Sequence, residues 1–278
     1  MKLNITKEWL MKNIDLEEGM SCAAGSFPQF GSSGIDLVGD IHSCADELLE
    51  LVYKLGYYVG CHGWSHPEGR VIVCVGDFFD KGSKPIDTFR LLERLMESGV
   101  ALGVLGNHDH KLRRYLRKKR DGISTKDMKL TNGLDETIRE FVHAGLEFEV
   151  LAWLETLPET IQIGSVLITH GAYREGVSAG HAHNLSMFGE VLSQQPTADG
   201  YPQRVDNWKH DYDGDLTHIV VGHEIFEEPQ IVVSKSGCKI FSIDTGLADG
   251  GKLTALRLPQ EEFVYVRARE KYWTQQAK

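Results

Sequence analysis

Six short apolar runs in this sequence each lead directly into a residue type that can bind a metal ion. In chain order these residues are Asp40 and His42, Asp77, Asn107 and His108, His170, His223, and Asp244. One such residue could simply shape a turn, as Asp and Asn often do, but six recurrences are hard to attribute to turns alone. Carboxylate, imidazole and amide ligands without a thiolate nearby favour Mn²⁺, Fe²⁺, Zn²⁺ or Mg²⁺.

The spacing of these residues suits a pair of ions. Asp40 and His42 are separated by one residue, so in an extended segment both side chains point to the same side and can bind one ion. Asp77 can bridge two ions with its two oxygens, and Asn107, His170 and His223 would complete the second site. A two-metal centre activates a bridging water and stabilises the attacking and leaving oxygens of an in-line displacement. Phosphoester hydrolysis needs this kind of charge stabilisation.

The apolar runs themselves predict the elements that must position these residues. Short apolar runs that end at Gly or Thr are typical of buried strands. The runs are Ile35–Val38, Val71–Val75, Ala101–Leu105, Val166–Thr169, Ile219–Val221 and Ile240–Ile243. Helical segments are predicted between several of them, at Ala45–Leu55, Pro85–Ser98 and His110–Lys119. This alternation predicts an α/β fold, with ligands gathered beyond the carboxyl ends of the strands.

Three of the motifs resemble the signature blocks of calcineurin-type metallophosphoesterases, and they fit the phosphoprotein-phosphatase branch best. The blocks are Asp40-Ile41-His42, residues 76–82 (GDFFDKG) and residues 106–109 (GNHD), followed in the family's order by residues 169–171 and 221–223. Residues 108–114 and 242–256 are also similar to the phosphatase module of bacterial polynucleotide kinase-phosphatases and to bacterial diadenosine tetraphosphate hydrolases. The resemblance implies a four-layer α-β-β-α sandwich with two mixed sheets.

The resemblance also implies roles for individual residues. Asp40, His42 and Asp77 would bind one divalent ion, and Asp77, Asn107, His170 and His223 the other. The expected ion is Mn²⁺, with Fe²⁺, Zn²⁺, Ni²⁺ and Mg²⁺ as alternatives. His108 would be the general acid, oriented by Asp80, because a histidine held by a carboxylate can stay protonated and correctly aimed. Asp244 would either contact a metal, directly or through water, or only form a turn.

Two positions depart from the family pattern. Lys81 stands where an Arg is usual, so the charge is kept but the planar, two-pronged grip on phosphate is lost. We therefore expect phosphate binding either to be weaker or to be shared with Arg174, four residues after His170. Ile225 stands where many distant relatives have a second His. The phosphoprotein-phosphatase branch also lacks this His, which supports the assignment to that branch. The absence of this His leaves the first metal with three protein ligands and room for water or Asp244.

A basic segment follows the third motif directly. Residues 111–120 (KLRRYLRKKR) include seven Lys and Arg. They form either a solvated helix face or an electropositive rim that draws a polyanionic substrate toward the metals through Arg113 and Arg114. Farther along the chain, Gly180–His183 is predicted to lie in a loop, where substrate recognition often resides.

Composition sets limits on location and partners. The 278 residues carry a formal net charge of −10, which disfavours stable binding to long nucleic acid or an anionic membrane. No apolar run is long enough to span a membrane, and the first twenty residues lack the uninterrupted apolar stretch of a signal peptide. Five scattered cysteines favour a reducing cytoplasm. We predict an N-terminal extension with linker at 1–33, a catalytic domain at 34–268 and a tail at 269–278. The extension includes a candidate helix at Lys7–Met20, and the oligomeric state stays open.

Four functions remain in competition at this stage. The favoured one is a stand-alone phosphoesterase acting on a phosphorylated small molecule, a nucleotide or an RNA-end phosphate, since no kinase P-loop motif occurs in the chain. The others are a diadenosine polyphosphate hydrolase, a Ser/Thr phosphoprotein phosphatase and a non-catalytic, metal-dependent binding protein. Retention of His108 and Asp80 argues against the last of these, because a protein that only binds needs neither residue.

Overall fold

Two mixed β-sheets form the centre of the computed structural model, which describes residues 2–4, 34–196 and 202–273. Sheet I contains, in spatial order, β14 (Asp244–Thr245), β15 (Lys252–Leu258), β2 (Ile35–Val38), β5 (Val71–Cys74) and β6 (Ala101–Gly103), with β16 (Glu262–Arg267) paired to β15. Sheet II contains β1 (Lys2–Asn4), β7 (Thr160–Ile163), β8 (Val166–Thr169), β11 (His218–Val221), β13 (Lys239–Ser242) and β12 (Gln230–Val233). Two hairpins lie apart: β3 (Tyr58–Gly60) with β4 (Gly63–Ser65), and β9 (Val191–Pro196) with β10 (Pro202–Arg204).

The strands that precede the candidate ligands run parallel within each sheet. In sheet I, β2 pairs in parallel with β5, and β5 with β6. In sheet II, β11 pairs in parallel with both β8 and β13. The sequences of β2 and β5, IDLV and VIVC, are buried at every position, as expected for parallel strands covered on both faces. The carboxyl ends of these strands therefore lie at one edge of each sheet.

Separate apolar cores define four layers. The space between the sheets is filled from sheet I by Leu37 and Val73 and from sheet II by Ile168, Val220 and Phe241. The outer face of sheet I is covered by α1 (Ala45–Lys54), α2 (Pro85–Glu97), α3 (Asn107–Arg120), α4 (Asn132–His143) and α5 (Glu147–Thr156). The outer face of sheet II is covered by α6 (Ala179–Phe188) and α7 (Asn207–Asp211). The predicted α-β-β-α sandwich with two mixed sheets is confirmed.

Two local predictions were wrong. Helix α3 begins at Asn107 rather than at His110, because the Asp109 carboxylate accepts a hydrogen bond from the backbone N–H of Gly106 and stabilises the first turn. Gly180–His183 lies in α6 rather than in a loop. The hydroxyl of Ser178 caps this helix by accepting a hydrogen bond from the N–H of His181 at 3.3 Å.

The described parts of the predicted termini contact the domain. Strand β1, within the predicted extension, pairs in parallel with β7, whereas the predicted helix at Lys7–Met20 lies outside the described residues. In the predicted tail, the N–H of Arg269 and the hydroxyl of Tyr272 both donate to Glu47 on α1, at 2.9 and 2.7 Å. The domain boundaries stay predictions. Among the described residues, no helix has both the length and the apolar character needed to cross a membrane.

Candidate metal centre

The carboxyl ends of strands from both sheets surround one cavity of about 350 Å³. Eight of the candidate site residues from the sequence line it: Asp40, His42, Asp77, Lys81, Asn107, His108, His223 and Asp244. His170 is fully buried beside them, with its Nε2 atom 2.9 Å from Asn107 Oδ1. The fold therefore brings together every residue that the sequence proposed as a metal ligand.

The backbone at this cavity adopts conformations that side chains normally avoid. Seven described residues other than glycine have positive φ angles, and five of them belong to the candidate site: His42, Asp77, Asp80, Lys81 and His223. Such conformations cost energy and persist where the surroundings enforce them, which is often at functional sites. The concentration of strained residues marks this cavity independently of the side-chain chemistry.

Two motif glycines allow carboxylates to approach the backbone closely. A Cβ atom on Gly106 would lie 2.1 Å from Asp77 Oδ1, and one on Gly222 would lie 2.0 Å from Asp40 Oδ1. Both distances are far shorter than a van der Waals contact, so any other residue at either position would displace a candidate ligand. The glycines before Asn107 and His223 are thus required sterically.

Asp77 lies at the centre of the cluster. Its Oδ2 atom is 3.4 Å from His170 Nε2 and 3.8 Å from His42 Nε2, while its Oδ1 accepts a hydrogen bond from the N–H of His108 at 2.9 Å. Burial alone would raise the pKa of Asp77, but the charges of His170 and His108 hold it well below its ordinary value. The ionised carboxylate therefore sits between two imidazole nitrogens, as a bridging ligand would.

Hydrogen bonds from Nδ1 to backbone carbonyls orient the imidazole rings of His42 and His170. His42 Nδ1 donates to the carbonyl of Phe79 at 3.1 Å, and His170 Nδ1 donates to the carbonyl of Val75 at 3.0 Å. Each ring therefore points its Nε2 atom toward the cavity, an arrangement usual for metal-binding histidines. Burial, with the charge of Lys81 next, lowers the pKa of His42 well below its ordinary value, which favours the neutral form that binds metals.

Two acidic residues, Asp40 and Asp244, line one wall of the cavity close to Asp77. Burial, followed by the negative charges of Asp244 and Asp77, raises the pKa of Asp40 well above its ordinary value. Burial also raises the pKa of Asp244. Carboxyl groups this close and this deeply buried resist ionisation unless a cation compensates them. The electrostatics of this wall therefore suit bound cations.

His108 and Asp80 form a hydrogen-bonded pair at the rim of the cavity. His108 Nδ1 lies 2.6 Å from Asp80 Oδ2. Burial opposes protonation of His108, but the charge of Asp77 and the hydrogen bond to Asp80 raise its pKa above the ordinary value. The Nε2 atom of a protonated His108 carries the proton that a general acid needs.

The cavity also contains residues that the sequence did not propose as ligands, catalytic groups or substrate-binding groups. Arg204, Glu224 and Ile225 complete its lining, and the Arg204 guanidinium reaches the carbonyl of His223 at 3.5 Å. Lys81 also lines the cavity, and its Nζ atom lies 2.9 Å from His42 Nε2. Two cationic side chains therefore face the candidate ligands. No local motif surrounds Arg204, which enters the site from the β9–β10 segment, so only the fold reveals it.

Three residues predicted to bind substrate lie outside the lining of this cavity. Arg174 forms a two-pronged ion pair with Glu190, with both N–O distances at 2.9 Å. Arg113 is half-buried and Arg114 is exposed on α3. Farther along α3, Arg117 pairs with Glu155 and Lys119 with Glu147, so part of the basic segment is neutralised by α5.

Comparison with known families agrees with this geometry. The signature of the calcineurin-like phosphoesterases matches residues 34–247, which include all the candidate metal ligands. The chain belongs to this family. It is therefore a metallophosphoesterase, a hydrolase of a family that uses divalent metal ions.

Two similar proteins from different bacteria share one name. Bis(5′-nucleosyl)-tetraphosphatase PrpE (asymmetrical) of Halalkalibacterium halodurans is 33% identical over 246 residues, covering 84% of this chain and 94% of that protein. The protein of the same name from Bacillus subtilis is 31% identical over 242 residues, covering 83% and 93%.

Solved structures support the fold. A crystal structure provisionally described as a diadenosine tetraphosphatase aligns with a TM-score of 0.57 at 21% identity, covering 85% of this chain and 94% of that one. A cold-active protein-tyrosine phosphatase of Shewanella aligns with a TM-score of 0.52 at 16% identity, covering 85% and 80%. At these identities the likeness concerns the fold alone.

The residues present fit a pair of divalent cations. Asp77 belongs to two groups whose potential ligand atoms lie within 4.8 Å of one another, one with His42 and His108 and the other with Asp40 and His170. His170 Nε2 and His223 Nδ1 both approach Asn107 Oδ1 at 2.9 Å. The donors are oxygens and imidazole nitrogens, which suit Mn²⁺, Fe²⁺, Zn²⁺ or Mg²⁺ rather than a thiolate-preferring ion.

Proposed function

We propose that this protein hydrolyses dinucleoside tetraphosphates asymmetrically at a two-metal centre. The reaction would add one water across a phosphoanhydride bond and release a nucleoside monophosphate and a nucleoside triphosphate. The observation that carries the proposal is the complete donor set around Asp77, in a chain that aligns with nearly the full length of asymmetrical tetraphosphatases. These relatives favour the diadenosine polyphosphate alternative over the RNA-end substrate that the sequence first suggested.

The proposed ligand assignment is the one that the family resemblance implies. Asp40, His42 and Asp77 would hold one ion, with Asp244 beside Asp40, and Asp77, Asn107, His170 and His223 would hold the other. Mn²⁺ is the proposed ion, with Fe²⁺, Zn²⁺, Ni²⁺ and Mg²⁺ as alternatives. When bound, such ions polarise phosphoryl oxygens and lower the pKa of water.

The other residues of the cavity would bind phosphate and move a proton. Lys81 and Arg204 face the ligands and would bind the phosphoryl oxygens. As the water gives up a proton to solvent and adds to phosphorus, the bond to the leaving oxygen would break and the proton on His108 Nε2 would pass to that oxygen. Asp80 would keep the imidazole aimed and stabilise its charged form, since the 2.6 Å contact to Nδ1 fixes the ring.

The periphery of the cavity suits a substrate larger than a single phosphate. Ile225 is the one aliphatic side chain among the described lining residues and is 49% exposed, so it offers a surface for a nucleoside. Arg113 and Arg114 lie beyond the lining on α3 and would reach only the part of a substrate that extends out of the cavity. An extended polyanion with nucleosides at both ends matches these features.

A substrate panel with Mn²⁺ tests the proposal. Diadenosine tetraphosphate, an RNA 3′-phosphate, a 2′,3′-cyclic nucleotide and a phosphopeptide would be compared by kcat/KM, with products separated by chromatography. We expect diadenosine tetraphosphate to be the best substrate, with ATP and AMP as equimolar products. Two ADP molecules, or faster hydrolysis of the RNA or peptide, would overturn the proposed substrate. Binding of diadenosine tetraphosphate without turnover under any of the five metals would instead favour the non-catalytic binding protein.

A further inference from the structure

The Asp80 carboxylate receives a hydrogen bond from an element outside the three family motifs. The hydroxyl of Thr131 donates to Asp80 Oδ2 at 2.8 Å, and the same oxygen lies 2.6 Å from His108 Nδ1. We infer that Thr131 is a positioning residue, which holds Asp80 so that Asp80 can aim His108. This inference rests on the proposed function, because it requires His108 to act as the general acid.

The remaining contacts leave Asp80 little freedom. Its Oδ1 atom accepts a hydrogen bond from the N–H of Lys81 at 2.7 Å, and its side chain is 1% exposed. Within the described part of the protein, His108 and Thr131 are the two side chains that form hydrogen bonds with this carboxylate. Removing the Thr131 hydroxyl would therefore leave Oδ2 with His108 as its single partner.

Thr131 is itself fixed by the helix that it begins. Its Oγ1 accepts a hydrogen bond from the N–H of Leu134 at 3.3 Å and so caps α4. Since one lone pair of the hydroxyl faces the helix, the hydroxyl hydrogen is free to point at Asp80. Helix α4 is anchored by Leu134, Ile138 and Phe141, all buried in the core over sheet I. The core thus determines where the hydroxyl lies relative to the His108–Asp80 pair.

A glycine in the first turn of α4 lets the helix approach Asp80. A Cβ atom on Gly133 would lie 2.4 Å from Asp80 Oδ1 and 2.7 Å from the backbone nitrogen of Lys81. Alanine usually stabilises a helix relative to glycine, so glycine is disfavoured here by propensity but required by this contact. The start of α4 is therefore fitted to Asp80 by two residues, Thr131 and Gly133.

Substitutions at Thr131 separate positioning from simple stability. Thr131→Val keeps the shape and removes the hydroxyl, whereas Thr131→Ser keeps the hydroxyl. Because Thr131→Val also removes a helix cap, Ser178→Ala is the matched control: it removes the corresponding cap of α6, and Ser178 does not line the cavity. Stability would be measured for all three variants alongside activity.

The dependence of rate on the leaving group is the decisive kinetic readout. Nitrophenolate leaves readily without a proton, whereas phenolate benefits from a general acid. We expect Thr131→Val to lower kcat for phenyl phosphate roughly 10-fold more than for 4-nitrophenyl phosphate, with KM little changed. Thr131→Ser should restore the normal ratio, and Ser178→Ala should not alter it. An equal loss on both substrates in Thr131→Val would overturn the inference.

His108→Asn shows which hypothesis has failed. If His108→Asn loses the same activity on both aryl phosphates, the proposed role of His108 is wrong. If His108→Asn slows phenyl phosphate more than 4-nitrophenyl phosphate and Thr131→Val does not, only the role of Thr131 is wrong. Proton NMR adds a readout without turnover, because the short Nδ1–H hydrogen bond should give a downfield signal that His108→Asn removes. We expect Thr131→Val and Gly133→Ala to shift that signal and Thr131→Ser to preserve it. If the signal stays at the wild-type position in both Thr131→Val and Gly133→Ala, the inference is wrong.

Discussion

The Asp109 carboxylate accepts a hydrogen bond from the backbone N–H of Phe78 at 2.9 Å and so joins the first turn of α3 to the segment after β5. The same carboxylate accepts two longer hydrogen bonds, from the N–H groups of Phe79 at 3.3 Å and Gly106 at 3.1 Å. One buried side chain thus holds together the two segments that carry Asp77, Asn107 and their neighbours. Contacts within the protein therefore contribute to the positions of the candidate ligands.

Asp109→Ala should therefore destabilise the protein strongly. Three buried backbone donors would lose their partner, and an unsatisfied buried donor costs about 1–3 kcal/mol. We expect the free energy of unfolding, measured by urea denaturation of the metal-free protein, to fall by about 3 kcal/mol. Asp109→Asn keeps one acceptor oxygen and should cost less. Equal stability of Asp109→Ala and the wild type would show that these contacts do not hold the segments together.

The sequence predicts the parts of this site that depend on local spacing. Asp40, His42 and Asp77 directly follow apolar runs, and parallel strands bring their carboxyl ends to one edge whatever the details of packing. Contacts that depend on how distant elements pack leave no such pattern. Thr131 reaches Asp80 across 51 positions of the chain through α4, and Arg204 reaches the cavity from the β9–β10 segment. Neither has a spacing signal, so both required the fold.

Asp77 should be needed for both ions. We expect metal-free protein reconstituted with Mn²⁺ to bind about two ions per chain, and Asp77→Asn to lose most of this binding together with activity. Metal content would be measured by mass spectrometry after desalting. Asp46→Asn is a suitable control, since Asp46 pairs with Lys84 and Arg269 at the surface. Full activity of the wild type after thorough chelation would contradict the two-metal proposal.

Replacing His108 should slow the reaction without releasing metal. His108→Asn should lower kcat by roughly 10²–10⁴ for substrates with poor leaving groups, the usual contribution of a general acid. His183→Asn provides a matched control, because His183 Nδ1 also contacts a carboxylate, Glu159, at 2.8 Å but does not line the cavity. If both variants lose the same activity, the effect is not specific to the proposed acid.

The cations that line the cavity should matter more for phosphate binding than Arg174 does. Lys81→Met and Arg204→Met should each lower kcat/KM roughly 10- to 100-fold, because each removes a charged hydrogen bond to phosphate. Arg174→Met should have a small effect, since Arg174 pairs with Glu190 outside the lining. Steady-state kinetics with diadenosine tetraphosphate would measure this. A large loss for Arg174→Met alone would restore the role that the sequence predicted for it.

His110 should make the folded protein less stable in mildly acidic solution. Burial, together with the charges of Arg113, His183 and Arg114, lowers the pKa of His110 to about 4, and Glu159 opposes this shift only weakly. Since an unfolded histidine titrates near 6.5, the unfolded chain takes up the proton first, and stability falls as the pH drops from about 7 toward 4. His110 is partly exposed, so we expect a loss of about 1–2 kcal/mol. Urea denaturation at pH 7.5 and 5.0 should show a smaller pH effect in His110→Gln than in the wild type, and identical pH effects would contradict this prediction.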